Sequence, residues 1–214
     1  MPPRIDRTAR RREVVEAYLA LVAREGMGAA SSRALAVEMG VSTGSLWHWF
    51  ADFDEVLHEA FASVFRRADD RIAAARAGLR GLPALAAALR EILPLVKETD
   101  DEAHVVVAFW GRVASSPALG DIHRDVMRTW TAELVDHLGA ARDDHQLRPG
   151  TPVAQLADVL LVLSLGQQVA RVVDAELTTP ERQWALVGAV LAPWSVPGAA
   201  TDLPWGERPA GWAG

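Results

Sequence analysis

The chain has 214 residues, half of them apolar, with a formal net charge of −6, enough for one or two domains with a buried core. It contains no cysteine, which excludes disulfides and thiolate metal sites and fits a reducing cytoplasm. The acidic total hides a split: residues 1–50 hold seven Arg against five Asp or Glu, and the remainder fifteen basic against twenty-three acidic residues.

That asymmetry suggests a DNA-facing head on a larger acidic body. The N-terminal Met-Pro-Pro-Arg-Ile-Asp-Arg carries no apolar segment of a signal peptide. The longest apolar stretch, 159–165, is broken only by Ser164 and falls far short of the ~20 residues of a membrane span. A cytoplasmic protein is expected.

In chain order, almost every segment reads as helix. Residues 10–24 place Val14, Val15, Tyr18, Leu21 and Val22 on one stripe, closed by Gly26. A short helix over 31–39 can be capped by Ser31 or Ser32 and is stopped by Gly40. Residues 43–50 form a third, very short helix, and 54–77 a longer fourth one with Val56, Leu57, Ala60, Phe61, Val64 and Phe65 on its stripe. Gly78 and Gly81-Leu82-Pro83 interrupt the chain. Helices follow at 84–99 (kinked or split by Pro94), 103–114, 117–140, 153–175 and 180–191. From 194 to 214 the chain becomes Pro-, Gly- and Trp-rich and reads as an extended or disordered tail.

The informative segment is 31–50, Ser-Ser-Arg-Ala-Leu-Ala-Val-Glu-Met-Gly-Val-Ser-Thr-Gly-Ser-Leu-Trp-His-Trp-Phe. Leu35, Ala36 and Met39 pack its first helix, Gly40 allows the turn, and Val41 plugs the inside. Ser42 can cap the next helix, which Leu46 and Phe50, four apart, hold in place. Thr43, Ser45, Trp47 and His48 are left on faces that a recognition helix presents to a major groove. An ordinary helical hairpin with a glycine turn would show the same packing pattern.

Gly-Val-Ser-x-Gly-Ser-Leu, then aromatic-His-aromatic-Phe, then a helix opening on an acidic pair, resembles the signature of TetR-family transcriptional regulators over residues 10–57. The resemblance implies an all-α fold: an N-terminal three-helix helix-turn-helix DNA-binding domain (1–53), joined by a long helix to a C-terminal helical bundle (54–193) for ligand binding and dimerisation. It implies that Ser31 and Arg33 contact DNA from the second helix, and Thr43, Ser45, Trp47, His48 and Trp49 from the third. Three positions depart from the family pattern. Trp47 stands in place of a phosphate-binding tyrosine, Trp49 of a histidine, and Phe53 of a lysine. Losing the lysine removes about one phosphate contact. Arg4, Arg7 and Arg10–Arg12 form a basic arm able to restore that charge.

The family resemblance also implies a homodimer, a double-stranded operator and a small-molecule effector. The helix over 153–175 is apolar around too much of its circumference for a single core-facing stripe. Leu156, Leu160, Leu163, Gly166 and Val169, with Trp184, Val187 and Leu191 of the last helix, are therefore candidates for core and dimer seam together. Phe109, Trp110, Met127 and Trp130 are candidates to line an effector pocket, with His104, Gln167 and Arg171 as polar anchors, and Arg112 and His123 beside them. Val-Ala-Phe-Trp-Gly-Arg and His-Arg-Asp-Val-Met-Arg-Thr-Trp resemble the subgroup of the choline-responsive betaine-pathway repressor. Trp110 and Trp130 could cage a cation, and equally could be plain core.

Two rival readings exist. A helical-bundle enzyme would need a second Glu-x-x-His to match Glu55-x-x-His58, and Asp101-x-x-His104 is the nearest imitation. No metalloprotease, phosphate-loop, dinucleotide or nucleophile-elbow motif is present, so no enzyme, metal or cofactor is expected. An all-helical interaction protein without specific DNA binding is the other rival.

Overall fold

The computed structural model describes residues 7–26, 29–113 and 116–199. Among them are nine helices: α1 Arg7–Glu25, α2 Ser32–Glu38, α3 Thr43–Leu46, α4 Phe53–Ala75, α5 Leu82–Ile92, α6 Lys97–Val113, α7 Pro117–Asp143, α8 Val153–Val173 and α9 Pro180–Leu191. The all-α fold expected from the sequence is present. Arg4 and residues 200–214 of the tail lie outside the described residues.

Local signals explain the head. Ser31 Oγ accepts the Ala34 amide proton at 3.2 Å, and Ser42 Oγ the Ser45 amide proton at 3.2 Å, so each serine caps a helix. Between them Gly40 adopts φ 65°, a left-handed angle that costs glycine little. The Val41 N–H reaches back to the Ala36 carbonyl at 2.9 Å, the six-to-one bond of a Schellman stop. The third helix is shorter than 43–50. It ends at Leu46, because three-residue bonds from His48 to Ser45 and Trp49 to Leu46 tighten the chain and swing Phe50 into the core.

Two apolar clusters organise the rest, and α4 belongs to both. Its Val56, Leu57, Ala60 and Val64 join Val14, Tyr18, Leu35 and Leu46 in the head cluster, together with Val105 of α6. Phe61 turns the other way and enters the body cluster formed by α5 to α9, where it stacks on Phe109 at 3.8 Å between centroids. No clean cut therefore falls at residue 53, since one helix builds both cores.

Of the kink or split expected at Pro94 the split is found, and two other features of the body differ from the expectation. Pro94 splits 84–99 completely: Leu93 is extended (ψ 143°), as a residue before proline prefers. Thr99 Oγ1 then accepts the Leu95 and Val96 amide protons at 3.1 and 3.2 Å. The chain after α9 is tied down up to Ala199. Ser195 bridges to Leu147, and the Arg148 N–H donates to the Trp194 carbonyl at 2.7 Å. Finally, α8 is a longer apolar helix than the run 159–165 suggests, being long and apolar enough by composition to cross a membrane. It packs against α6, α7 and α9 with Ser164, Gln167 and Gln168 buried.

Candidate nucleic-acid interface and effector cavity

The α2–α3 unit separates scaffold from surface. Leu35, Ala36, Leu46 and Phe50 are buried, while Ser31, Arg33, Trp47 and His48 are exposed. Arg33 makes no ion pair among the described residues, unlike Arg24, which is bound to Glu25 and Glu38. Arg33 and Val37 lie four apart on one face of α2, and Val37 is 75% exposed. This exposed valine lies off the Leu35–Ala36–Met39 stripe that packs α2.

Thr43 and Ser45 are half-buried, and the Ser45 and Ser42 hydroxyls are bonded to each other at 2.8 Å. Trp49, expected at the DNA, is engaged with α1. Its half-buried ring lies 5.1 Å from the Arg10 guanidinium carbon, and its carbonyl accepts an Arg11 proton. The missing lysine has a structural explanation too: Phe53 meets Tyr18 edge-to-face at 5.7 Å. Burial in that corner pushes the Tyr18 phenol up to about 12, against the pull of Arg112.

Arg7 to Arg12 are not an arm but the first turns of α1. Arg11 is committed to the fold, bonded to Glu59 at 3.0 Å and Glu55 at 2.6 Å and lying 4.2 Å over the Phe50 ring. The Glu59 bond raises the Arg11 pKa above its ordinary value. The Ala51 amide, then Arg11, holds the Glu55 carboxyl below the usual range. This clamp fixes the start of α4 to α1 and to the end of the α3 turn.

Behind the head, α4, α5, α6, α7 and α8 enclose a cavity. Phe61, Phe65, Trp110, Met127 and Trp130 form its aromatic and apolar wall, and Glu91, Thr99, Glu102 and Gln168 its polar wall. Its free volume is about 30 Å³, room for about one water, so an organic ligand must push the walls apart. The Trp110 Nε1–H is buried without a hydrogen-bond partner. Gln168, only 3% exposed, has an amide that makes no hydrogen bond among the described residues.

Trp110, Met127 and Trp130 thus line the cavity as the sequence suggests, whereas the other expected pocket residues do not. Phe109 sits behind Phe61. His104 Nδ1 is engaged with the Asp100 carbonyl at 2.9 Å, and Arg171 is paired with Asp100 at 2.8 Å. Arg112 reaches Asp54 at the start of α4, and His123 stands edge-on behind Trp110 at 6.3 Å. Gln167 faces a groove between α8 and α9 instead of the cavity. One helical position separates it from Gln168, a 100° rotation that sequence alone did not resolve.

The residues expected at the dimer seam divide between core and surface. Leu156, Leu160, Trp184, Val187 and Leu191 are at most 4% exposed, so they belong to the protomer core and offer no area to a partner. Leu163 is half-buried, and Gly166 and Val169 are exposed. With them on the outer face of α8 lie Val159, Val162 and Val173, joined by Leu177 and by Leu186 of α9.

Known proteins agree with this architecture. The family described as BetI-type transcriptional repressor, C-terminal, matches residues 82–193. The HTH-type transcriptional regulator PksA of Bacillus subtilis (strain 168) is 32% identical over 139 residues, covering 64% of this chain and 68% of its own length. A transcriptional regulator from Rhodococcus sp. Rha1 superposes with a TM-score of 0.73 at 29% identity, covering 87% of this chain and 98% of that one. A regulator from Saccharomonospora viridis, crystallised in complex with choline, superposes with a TM-score of 0.80 at 19% identity, covering 88% and 99%. All are regulators rather than enzymes. The chain belongs to the TetR family of transcriptional regulators, with a BetI-type C-terminal domain.

Proposed function

We propose that the protein is a homodimeric repressor whose effector, held in the α4–α8 cavity, releases it from a pseudo-palindromic operator. The observation that carries the DNA side is the exposed surface of Ser31, Arg33, Trp47 and His48 over a buried helix-turn-helix scaffold. Arg33 reads or anchors from α2. The Trp47 indole N–H donates to a phosphate, as the tyrosine it replaces would, and Thr43 and Ser45 lie at the N-terminal end of α3, where small groups approach closest. The outer faces of α8 and α9 pair two copies, which places two heads one DNA turn apart, ~34–36 Å. Such a protein works in the compartment that holds the DNA.

An aromatic wall opposite two carboxylates suits an organic cation. The choline held by the Saccharomonospora relative supports that class of effector. Entry would widen the gap around Phe61 and Val64, both on α4, and so tilt the head. A coupling of ~1–3 kcal/mol suffices for a 5–150-fold loss of operator affinity.

The test is fluorescence anisotropy on fragments upstream of the protein's own gene at ~0.1 M salt. The wild type should bind one fragment with a Kd of ~10⁻⁸–10⁻¹¹ M. Arg33→Ala should cost about 1–3 kcal/mol, and Trp47→Phe, which removes a neutral donor, should cost about 0.5–1.5 kcal/mol with the salt slope unchanged. Unchanged curves for both variants would remove these residues from the interface.

A further inference from the structure

The cavity's carboxylates already hold a cation. Arg71 of α4 donates to both oxygens of Glu102, Nη1 to Oε1 at 2.9 Å and Nη2 to Oε2 at 2.7 Å. Its Nε bonds Glu91 at 3.1 Å, and Nη1 also reaches Glu98 at 3.2 Å. One guanidinium thereby ties α4 to both α5 and α6. Glu91 and Glu102 line the cavity from the inside while Arg71 itself does not. Trp110, whose Nε1–H is buried without a partner, and Gln168, whose amide makes no hydrogen bond among the described residues, line the same space.

We propose that Arg71 is a resident surrogate for the effector's charge, and that a cationic effector binds by taking Glu102 and Glu91 from it. This rests on the reading of the cavity as an effector site and adds the residue that sets its threshold. With the cavity closed, the two carboxylates are neutralised by Arg71 and the α4–α5–α6 contact is intact. A cation seated against Trp110 and Trp130 attracts the same carboxylates, and a share of its binding energy goes into breaking the Arg71 contacts. What it releases is the C-terminal half of α4, the helix whose N-terminal half carries the head. The incoming cation neutralises the carboxylates that Arg71 gives up, while Arg71 keeps its charge against the exposed Glu98 and solvent, so the exchange favours cations over neutral molecules of equal shape. An uncharged ligand leaves the Arg71 contacts in place and gains no lever on α4.

The experiment is a tryptophan-fluorescence titration of the full chain with tetramethylammonium chloride and, in parallel, with the uncharged neopentyl alcohol. Ionic strength is held constant with sodium chloride, and far-UV circular dichroism checks each variant's fold. Wild type should bind tetramethylammonium at least tenfold more tightly than the alcohol. Arg71→Gln should tighten the cation at least tenfold and leave the alcohol unchanged. Glu102→Gln should weaken the cation at least tenfold. Arg71→Lys, which keeps the charge but loses the two-pronged contact, should fall between wild type and Arg71→Gln, and it serves if the glutamine variant does not fold. Cation binding in wild type with an affinity unchanged or weakened by both Arg71 substitutions would overturn the exchange and leave the effector-site reading standing. Equal binding of alcohol and cation in wild type, or none of either, would overturn both.

Discussion

Burial governs the two histidines of α7 that face inward. His137 has its pKa lowered by desolvation first and by Arg76 second, with Asp136 opposing, and its Nε2 has no partner. His123 is lowered by burial and by Arg124. An unfolded chain takes up these protons as pH falls below about 6.5, while the folded one holds both imidazoles neutral to a lower pH. Stability is therefore complete above about 6.5 and is lost progressively as pH falls from there through the folded values. Urea midpoints should drop between pH 7.5 and 5.5, and His137→Phe should reduce that drop. A His137→Phe protein with the full wild-type pH dependence would contradict the assignment. The same scale shows why single contacts were hard to read from sequence. Trp47 and Trp49 are two residues apart and chemically identical, yet only the first is exposed, because α3 ends between Leu46 and Trp47 and the chain turns Trp49 beneath Arg10.

At the scale of elements, periodicity found a counterpart for each helix among the described residues, but it placed the start of α6 at 103 instead of Lys97 and left the orientation of α8 open. A helix with one apolar stripe declares its inner face. α8 has apolar residues all round, so Leu156 and Leu160, which are core, could not be told from Val159 and Val162, which are surface. The difference predicts opposite outcomes for neighbouring substitutions. Val162→Glu, on the outer face, should convert the proposed dimer to monomers in sedimentation equilibrium while leaving helicity and thermal midpoint of the protomer largely intact. Leu160→Glu buries a carboxylate without a partner and should destabilise the fold itself by several kcal/mol, ~3 or more. If Val162→Glu sediments as the wild type does, the α8 face is not the seam. Caps and breakers were legible at this scale too. Ser31, Ser42, Gly40 and Pro94 each act within three or four residues, the range over which local chemistry decides.

For the whole molecule, the decisive fact is that head and body are not two beads on a string. α4 supplies Val56, Leu57 and Ala60 to one core and Phe61 to the other, and Val105 of α6 crosses into the head cluster. Arg112–Asp54 on one side and the Arg11 clamp on the other hold the start of α4. The proposed transmission from cavity to α2 and α3 thus has a continuous run of packed side chains to act through. The family and the head were legible in the sequence because the helix-turn-helix is contiguous. The cavity was not, because its polar wall gathers Glu91, Glu102 and Gln168 from α5, α6 and α8 and depends on how the helices cross. The most direct test of the account is a footprint of the purified chain on its operator, with the stoichiometry of the complex measured alongside. The account predicts two protected half-sites centred about one DNA turn apart, ~34–36 Å, with two or a multiple of two copies bound. A single protected patch under one copy, or uniform protection without a preferred site, would contradict it.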